Sequence, residues 1–450
     1  MQRGKFTQCD LPSHPTRFPM PLPTDVPPAL TDRPAPSELP ILVVALALAL
    51  AAAVSLGLAR FSYALLLPPL RADLGWSYLT AGAMNTVNAA GYLVGALSMP
   101  TVLRRFGARA ALLGGGLAAG ALLIAHGWVL SDAALYVLRG LTGVASAATF
   151  VAGGLLAARL GGKAATATAT ATAAPGAGSR PATRHRAAPS AGLVLGVYYG
   201  GAGIGIVVAA LIVPPLCALP GAHAWQWAWM ALGAVALAAT AITARATRGL
   251  DQPGLATSLP ARFDAAQFGF GLTAYFLFGV GYIGYMTFVV TLLREQQLGD
   301  GLITAFYAVL GVAVLGSSWV WAGLLQRQRG GGALALLNAL LALATVLPVL
   351  SKQPLAVFAS GLLFGGVFLS VVASTTALVR HNLAPAAWPV GISAFTIVFA
   401  AGQIVGPTLV GWIADGAGGL RVGLAGSAAV LALGAVIASR QKALAGSPAH

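Results

Sequence analysis

The chain has 450 residues, of which 58% are hydrophobic and only 8% are charged, and its formal net charge is +15. Soluble domains carry roughly 25% charged residues, so this composition excludes one large soluble domain and favours apolar side chains that face lipid. The two cysteines, Cys9 and Cys217, lie in unlike contexts, and neither C-x-x-C nor H-E-x-x-H occurs. The sequence therefore predicts no disulfide framework, no metal site and no cofactor.

The chain begins with residues 1–40, which hold ten prolines and are predicted to form a disordered cytoplasmic tail. Twelve apolar runs follow, each long enough to cross a hydrocarbon core of about 30 Å as a helix. The runs cover residues 41–68, 77–101, 108–130, 132–160, 190–217, 224–245, 266–293, 301–325, 332–350, 354–380, 386–412 and 420–439.

Two polar segments interrupt the runs. Residues 161–189 are a low-complexity stretch, predicted to be a cytoplasmic loop, and residues 246–265 are a central linker that divides the runs six and six. We therefore predict an all-α polytopic membrane protein with twelve transmembrane helices in two six-helix bundles. The bundles are assigned to residues 41–245 and 266–440, and residues 441–450 to a short tail.

The charges of the loops predict the orientation. Sixteen lysines and arginines lie on one side of the predicted membrane and four on the other, and the N-terminal tail adds four more to the richer side. Because basic loops stay in the cytoplasm, both termini are predicted to be cytoplasmic in a multi-pass protein of the plasma (inner) membrane. The excess of basic over acidic residues is thus explained by membrane topology, and no nucleic-acid partner is expected.

A short repeat links the two halves. The second run is followed by "PTVLRRFGAR" (100–109) and the eighth by "GLLQRQRGGG" (323–332), both with arginine at the fifth position and glycine at the eighth. These loops resemble the G-x-x-x-D-R-x-G-R-R signature of the major facilitator superfamily. The resemblance covers residues 41–440 and implies gating roles for Arg105, Gly107, Gly323 and Gly330. Arginine replaces the signature's aspartate in both copies, which removes one brace of the family's closed gate.

Further segments are similar to signatures of the same family. "RGLTGVASA" (139–147) is similar to R-x-x-Q-G-x-G-A, with threonine in place of glutamine, and "GVYYGGAGIG" (196–205) resembles the exporters' glycine-rich motif without its proline. "RFSYALLLPPL" (60–70), "AYFLFGVGYIGYMTF" (274–288) and "GQIVGPTLVGWIAD" (402–415) look like the YbfB/YjiJ branch. In the resembled fold, the first and fourth helices line a central cavity.

Two arginines lie inside apolar runs. None of the eleven acidic residues falls in the middle of a run, so Arg60 and Arg139 have no obvious acidic partner there. Both lie at about the same depth, roughly 10–12 Å from one membrane surface. We expect them to bind an anionic group such as a carboxylate, because the guanidinium fork makes two parallel hydrogen bonds. The alternative is that either arginine binds helix carbonyls or extends to the membrane surface, and for Arg139 the family implies a conformational or proton-linked role.

Other polar residues recur at helical spacing, as Asn85, Asn88 and Tyr92 do in the second run. Such faces line a cavity or form hydrogen bonds between helices. The candidate substrate-binding residues are Arg60, Tyr63, Asn85, Asn88, Arg139, Tyr199, Tyr282, Thr376 and Gln403.

These features predict a secondary active or facilitative transporter that moves a small organic solute, an organic anion in the favoured version, by alternating access. No G-x-x-x-x-G-K-[ST] motif occurs, so the energy is expected from gradients rather than ATP. A drug or metabolite exporter and a non-transporting membrane sensor are the alternatives. A membrane enzyme is disfavoured because no cluster of buried catalytic groups appears. The expected partners are a small molecule and the lipid bilayer, and the expected state is a monomer.

Overall fold

The computed structural model describes residues 40–173, 190–250 and 263–444, and it describes side chains up to residue 162 in the first of these ranges. All but the last residue of the predicted tail at 1–40, the later part of the predicted loop at 161–189, most of the central linker and the last six residues of the chain lie outside the described residues. All described residues belong to one compact unit. Within them the regular structure is helical.

Eleven helices are long and apolar enough to cross a membrane. We number them α1 to α11 in chain order. They cover Ile41–Leu74, Tyr78–His126, Asp132–Ala173, Ala191–Cys217, Trp225–Ala246, Ala265–Glu295, Asp300–Arg327, Gly332–Leu350, Pro354–Asn382, Pro385–Ala414 and Gly419–Ser439. Helix α3 extends into the alanine-rich start of the segment that the sequence analysis assigned to a loop, and alanine is the best helix former.

The twelve predicted runs fall in these eleven helices because α2 contains two of them. Its 49 residues would span roughly 70 Å as one straight helix, about twice the thickness of a hydrocarbon core. The backbone leaves helical geometry at Gly107, where φ is 80° and ψ is 166°. Glycine adopts this positive φ without steric cost, so Gly107 allows the chain to turn between the second and third runs.

Helix α1 is not a uniform α-helix. It is α-helical over Ile41–Ala52, π-helical over Ala53–Phe61 and α-helical again over Tyr63–Leu74. The N–H of Ser62 donates to the carbonyl of Gly57 at 2.9 Å, five residues back, as a π-helical turn requires. The sequence predicts one uninterrupted run over residues 41–68 and gives no sign of this change of helix type. Arg60 lies at the end of the π-helical stretch, which we call the π segment.

The ends of the helices differ in charge. One end, which we call the acidic end, carries Asp73, Asp132, Glu295, Asp300 and Asp415. The opposite end, which we call the basic end, carries Arg105, Arg109, Arg327, Arg329 and Arg380. At the acidic end α2 packs closely on α10, and a Cβ at Gly82 would overlap the carbonyl oxygen of Pro407. This close approach brings α2 and α10 into direct contact at the acidic end.

Candidate functional site

A cavity of about 960 Å³ runs from Arg60 to the basic end. Four helices before residue 250 (α1 to α4) and four after residue 263 (α6, α7, α9 and α10) contribute its walls. Residues near the basic end, including Arg329, Arg380 and Trp388, line its mouth. Four of the nine predicted substrate-binding residues line the cavity: Arg60, Tyr199, Tyr282 and Thr376.

Arg60 is the charged group deepest in this cavity, and only 4% of its surface is exposed. Its Nη2 donates to Oε1 of Gln403, and the hydroxyl of Tyr282 donates to the same oxygen at 3.1 Å. The ring of Tyr92 lies 5.4 Å from the guanidinium carbon. The buried Nε has no hydrogen-bond partner, and no ion pair of Arg60 occurs among the described residues. Among the described residues, the guanidinium therefore has an N–H donor without an acceptor and a positive charge without an anionic partner.

Side chains from neighbouring helices hold the backbone around Arg60. Nη1 of Arg139 donates to the carbonyl of Ala59 at 3.0 Å, and the hydroxyl of Tyr307 donates to the carbonyl of Phe61 at 2.6 Å. Inside a bilayer, backbone carbonyls that regular helical bonds do not fully satisfy need other donors. The two accepting residues, Ala59 and Phe61, flank Arg60 in the sequence, so these bonds hold the backbone of α1 on both sides of it.

Arg139 does not line the cavity. It is 1% exposed, and besides Ala59 it donates from Nη2 to Oδ1 of Asn85 at 3.2 Å. Its guanidinium carbon also lies 4.7 Å from the centre of the Tyr63 ring. Arg139 thus donates to a helix carbonyl, which is one of the alternatives to anion binding that the sequence leaves open.

The other predicted residues outside the cavity make contacts between helices. Nδ2 of Asn85 donates to Oγ1 of Thr287 at 2.7 Å, and Nδ2 of Asn88 donates to the backbone carbonyl of Arg139 at 3.0 Å. The hydroxyl of Tyr63 donates to the carbonyl of Ala81 at 2.9 Å. The predicted residues that do not line the cavity are Tyr63, Asn85, Asn88, Arg139 and Gln403.

Sequence reasoning missed most of the aromatic residues in the cavity wall. These are Phe61, Phe150, Phe278, Phe368, Trp388 and Phe399. A polar residue is conspicuous in an apolar run, whereas a phenylalanine in the same run is equally consistent with the protein core or with a lipid-facing surface. Tyr92 lies seven residues after Asn85, on the helical face that the sequence predicts to line a cavity or to form hydrogen bonds between helices, and it lines the cavity.

The acidic end is closed by a cluster centred on the start of α2. The carboxylate of Asp415 accepts hydrogen bonds from the backbone N–H groups of Tyr78 and Leu79 at 2.8 and 2.9 Å. The Tyr78 hydroxyl donates to Glu295, and the guanidinium carbon of Arg71 lies 3.7 Å from the Tyr78 ring centre. The cluster joins α2 to α6 and α10.

The two copies of the repeated loop differ in structure. Gly107 forms the turn inside α2, and the guanidinium carbon of Arg105 lies 5.5 Å from the ring centre of the adjacent Phe106. Gly323 lies in the last helical turns of α7 with open space around it, whereas a Cβ at Gly330 would lie 2.8 Å from the carbonyl oxygen of Gln441. The glycine at the eighth position of each loop, Gly107 or Gly330, therefore allows a bend or a close packing contact.

A family model described as "Uncharacterised MFS-type transporter YbfB" matches residues 52–179 and 177–439. None of the curated proteins matches the chain. The nucleoside transporter NupG is similar in structure, with a TM-score of 0.62, 12% sequence identity and coverage of 89% of this chain and 98% of NupG. A bacterial homologue of the human lysosomal transporter Spinster, inward-facing and unoccupied, has a TM-score of 0.63, 14% identity and coverage of 88% and 96%.

Proposed function

We propose a substrate class and a membrane orientation for a chain that belongs to the YbfB family of MFS-type transporters and is a multi-pass membrane protein. The coarse function, transport of a small molecule across a membrane, follows from the family. We propose that the molecule is an organic anion and that Arg60 binds its charged group. Alternating access would expose the cavity first at one end of the helices and then at the other.

The unmatched charge of Arg60 is the observation that carries this proposal. A buried guanidinium is costly unless an anion or several acceptors satisfy it, and here Gln403 supplies a single acceptor. A carboxylate accepts two parallel hydrogen bonds from arginine, which a lysine cannot reproduce. Arg329 and Arg380 at the mouth add positive charge, which favours the entry of anions.

We propose that Arg139 is a positioning residue rather than a substrate ligand. Its bond to the Ala59 carbonyl supports the residue next to Arg60, and its bond to Asn85 connects that support to α2. In this arrangement a change at Arg139 alters where Arg60 points without removing the charge that binds the anion.

The proposed orientation follows from loop charge. The basic end carries most of the lysines and arginines of the short loops, so we assign it to the cytoplasm of a cell whose plasma membrane holds the protein. The cavity reaches the basic end while the Asp415 cluster closes the acidic end. The conformation is then inward-facing.

Uptake into proteoliposomes tests the proposal, with Arg60→Ala, Arg60→Lys and, as a surface control, Arg421→Ala. We expect a labelled organic carboxylate to be taken up by the parent and by the Arg421 variant. Arg60→Ala should lose at least roughly tenfold in affinity, since hydrogen bonds to charged groups contribute about 1.5–3 kcal/mol, and Arg60→Lys should recover part of it. Unchanged affinity in a folded Arg60→Ala protein would contradict the assignment. Binding without flux would instead identify a sensor.

A further inference from the structure

One wall of the cavity consists of aromatic rings in nearly parallel planes. Phe278, Tyr282, Phe368 and Phe399 all line the cavity, and we call them the aromatic wall. Their neighbouring pairs have ring centres 4.7–6.0 Å apart and planes that differ by 8–19°. Offset stacking has this geometry. Because the four ring planes are nearly parallel, a ligand with a flat ring can stack on the wall in one preferred orientation.

The aromatic wall meets the arginine at a single amide oxygen. Oε1 of Gln403 accepts from Nη2 of Arg60 and also from the hydroxyl of Tyr282, whose ring belongs to the wall. Tyr282 therefore fixes the distance between the charged site and the rings. If an anionic group binds Arg60, the part of the ligand next to that group would lie beside the Tyr282 ring. The ring centre of Phe399, the next ring of the wall, is 5.6 Å from that of Tyr282.

On the basis of the proposed anion transport, we propose that the substrate is a flat aromatic carboxylate. Its carboxylate pairs with Arg60, and its ring lies parallel to the aromatic wall. A saturated acid of the same size satisfies Arg60 but lacks a flat face, and an uncharged aromatic amide has the ring but leaves the guanidinium without an anion. The cavity of about 960 Å³ has room for one or two fused rings, since drug-sized ligands occupy pockets of about 300–1,000 Å³.

Four probes separate charge from planarity: benzoate, 1-naphthoate, cyclohexanecarboxylate and benzamide. Titration calorimetry on the purified full chain measures affinity, and vesicles with and without protein measure uptake. We expect benzoate and 1-naphthoate to bind roughly two- to tenfold more tightly than cyclohexanecarboxylate, the range that an aromatic pair contributes beyond its buried area. Benzamide should show no protein-dependent uptake.

Variants at Phe399 test the wall itself. Phe399→Leu should remove the preference for benzoate over cyclohexanecarboxylate, and Phe399→Trp, which keeps a flat ring, should retain it. Phe270→Leu, which changes an exposed ring outside the cavity, is the control. Equal affinity for both acids in the parent, with binding that still depends on Arg60, would overturn the aromatic assignment and leave anion transport standing. An unchanged preference in Phe399→Leu would also overturn it. Failure of every carboxylate to bind would instead overturn the proposed function.

Discussion

Replacing Asp415 by alanine should weaken the closure of the acidic end. The carboxylate of Asp415 accepts from the N–H groups of Tyr78 and Leu79 at 2.8 and 2.9 Å, in the first turn of α2, where N–H groups have no intrahelical acceptor. The acceptor lies at the end of α10, so these bonds join two helices that separate when this end opens. The substitution removes both bonds without adding bulk.

The structure sets the scale of this effect. A side chain that caps a helix N-terminus contributes about 0.5–2 kcal/mol, typically about 1 kcal/mol. The Asp415 bonds carry a negative charge at a helix N-terminus, which adds to their strength, but they lie at an exposed position where solvent screens them. A loss of about 1–2 kcal/mol from the closed state raises the ratio of open to closed molecules roughly 5- to 30-fold.

Labelling of a cysteine inside the closed contact measures that ratio. The hydroxyls of Thr86 and Thr408 lie 2.7 Å apart between α2 and α10, so Thr408→Cys in a cysteine-free background is a suitable reporter. Asp415→Ala should raise the rate at which this cysteine reacts with a membrane-impermeant maleimide, by about the same factor as it raises the fraction of open molecules. Asp132→Ala is the matched control, because this carboxylate at the same end accepts from the Trp76 indole at 2.8 Å and has no hydrogen bond to α10 among the described residues. A labelling rate unchanged by Asp415→Ala, or raised equally by Asp132→Ala, would refute the reasoning.

Three further predictions concern helix contacts. Arg139→Met should lower the melting temperature and weaken carboxylate binding, because it removes a hydrogen bond to the Ala59 carbonyl at a cost of about 1–3 kcal/mol. Arg139→Lys should restore part of the stability and part of the binding. Equal carboxylate binding by Arg139→Met and the parent would contradict the positioning role. Gly82→Ala should increase labelling of the same reporter cysteine, since its Cβ has no room in the closed contact, whereas Gly114→Ala, with open space around it, should not. Tyr307→Phe should destabilise the protein by about 1 kcal/mol in thermal unfolding, and no loss of stability would mean that its bond to α1 contributes nothing.

The helices were predictable because their signal is local. A run of about twenty apolar residues requires no information beyond its own composition. Each of the twelve runs overlaps a helix of the structure, although the run at 108–130 extends four residues past the end of α2 at His126. The turn inside α2 was also readable, because the polar residues before Gly107 interrupt two apolar runs. Its geometry was not readable, since a single glycine with positive φ joins the two helical parts without a loop.

The π segment could not be predicted because its stabilising contacts come from distant parts of the chain. Arg139 and Tyr307 donate to carbonyls of α1 from positions 80 and 246 residues away. Composition within Ala53–Phe61 does not distinguish a π-helix from an α-helix.

The sequence predicts which polar residues share a helical face, but it does not predict what that face contacts. Helical spacing correctly groups Asn85 with Asn88, yet spacing does not tell whether a cavity or another helix lies opposite. Asn85 contacts Arg139 and Thr287 instead of the cavity, while Arg60 lines it. The binding roles of these residues stay predictions until transport is measured.

The unmatched guanidinium of Arg60 also has an electrical consequence. An empty carrier that switches access around Arg60 moves a net positive charge through part of the membrane field, whereas a carrier loaded with a monovalent anion moves none there. One unit charge crossing a full 100 mV changes energy by about 2.3 kcal/mol. Membrane voltage should therefore control the return of the empty carrier, so that net uptake depends on voltage while one-for-one exchange of anions does not.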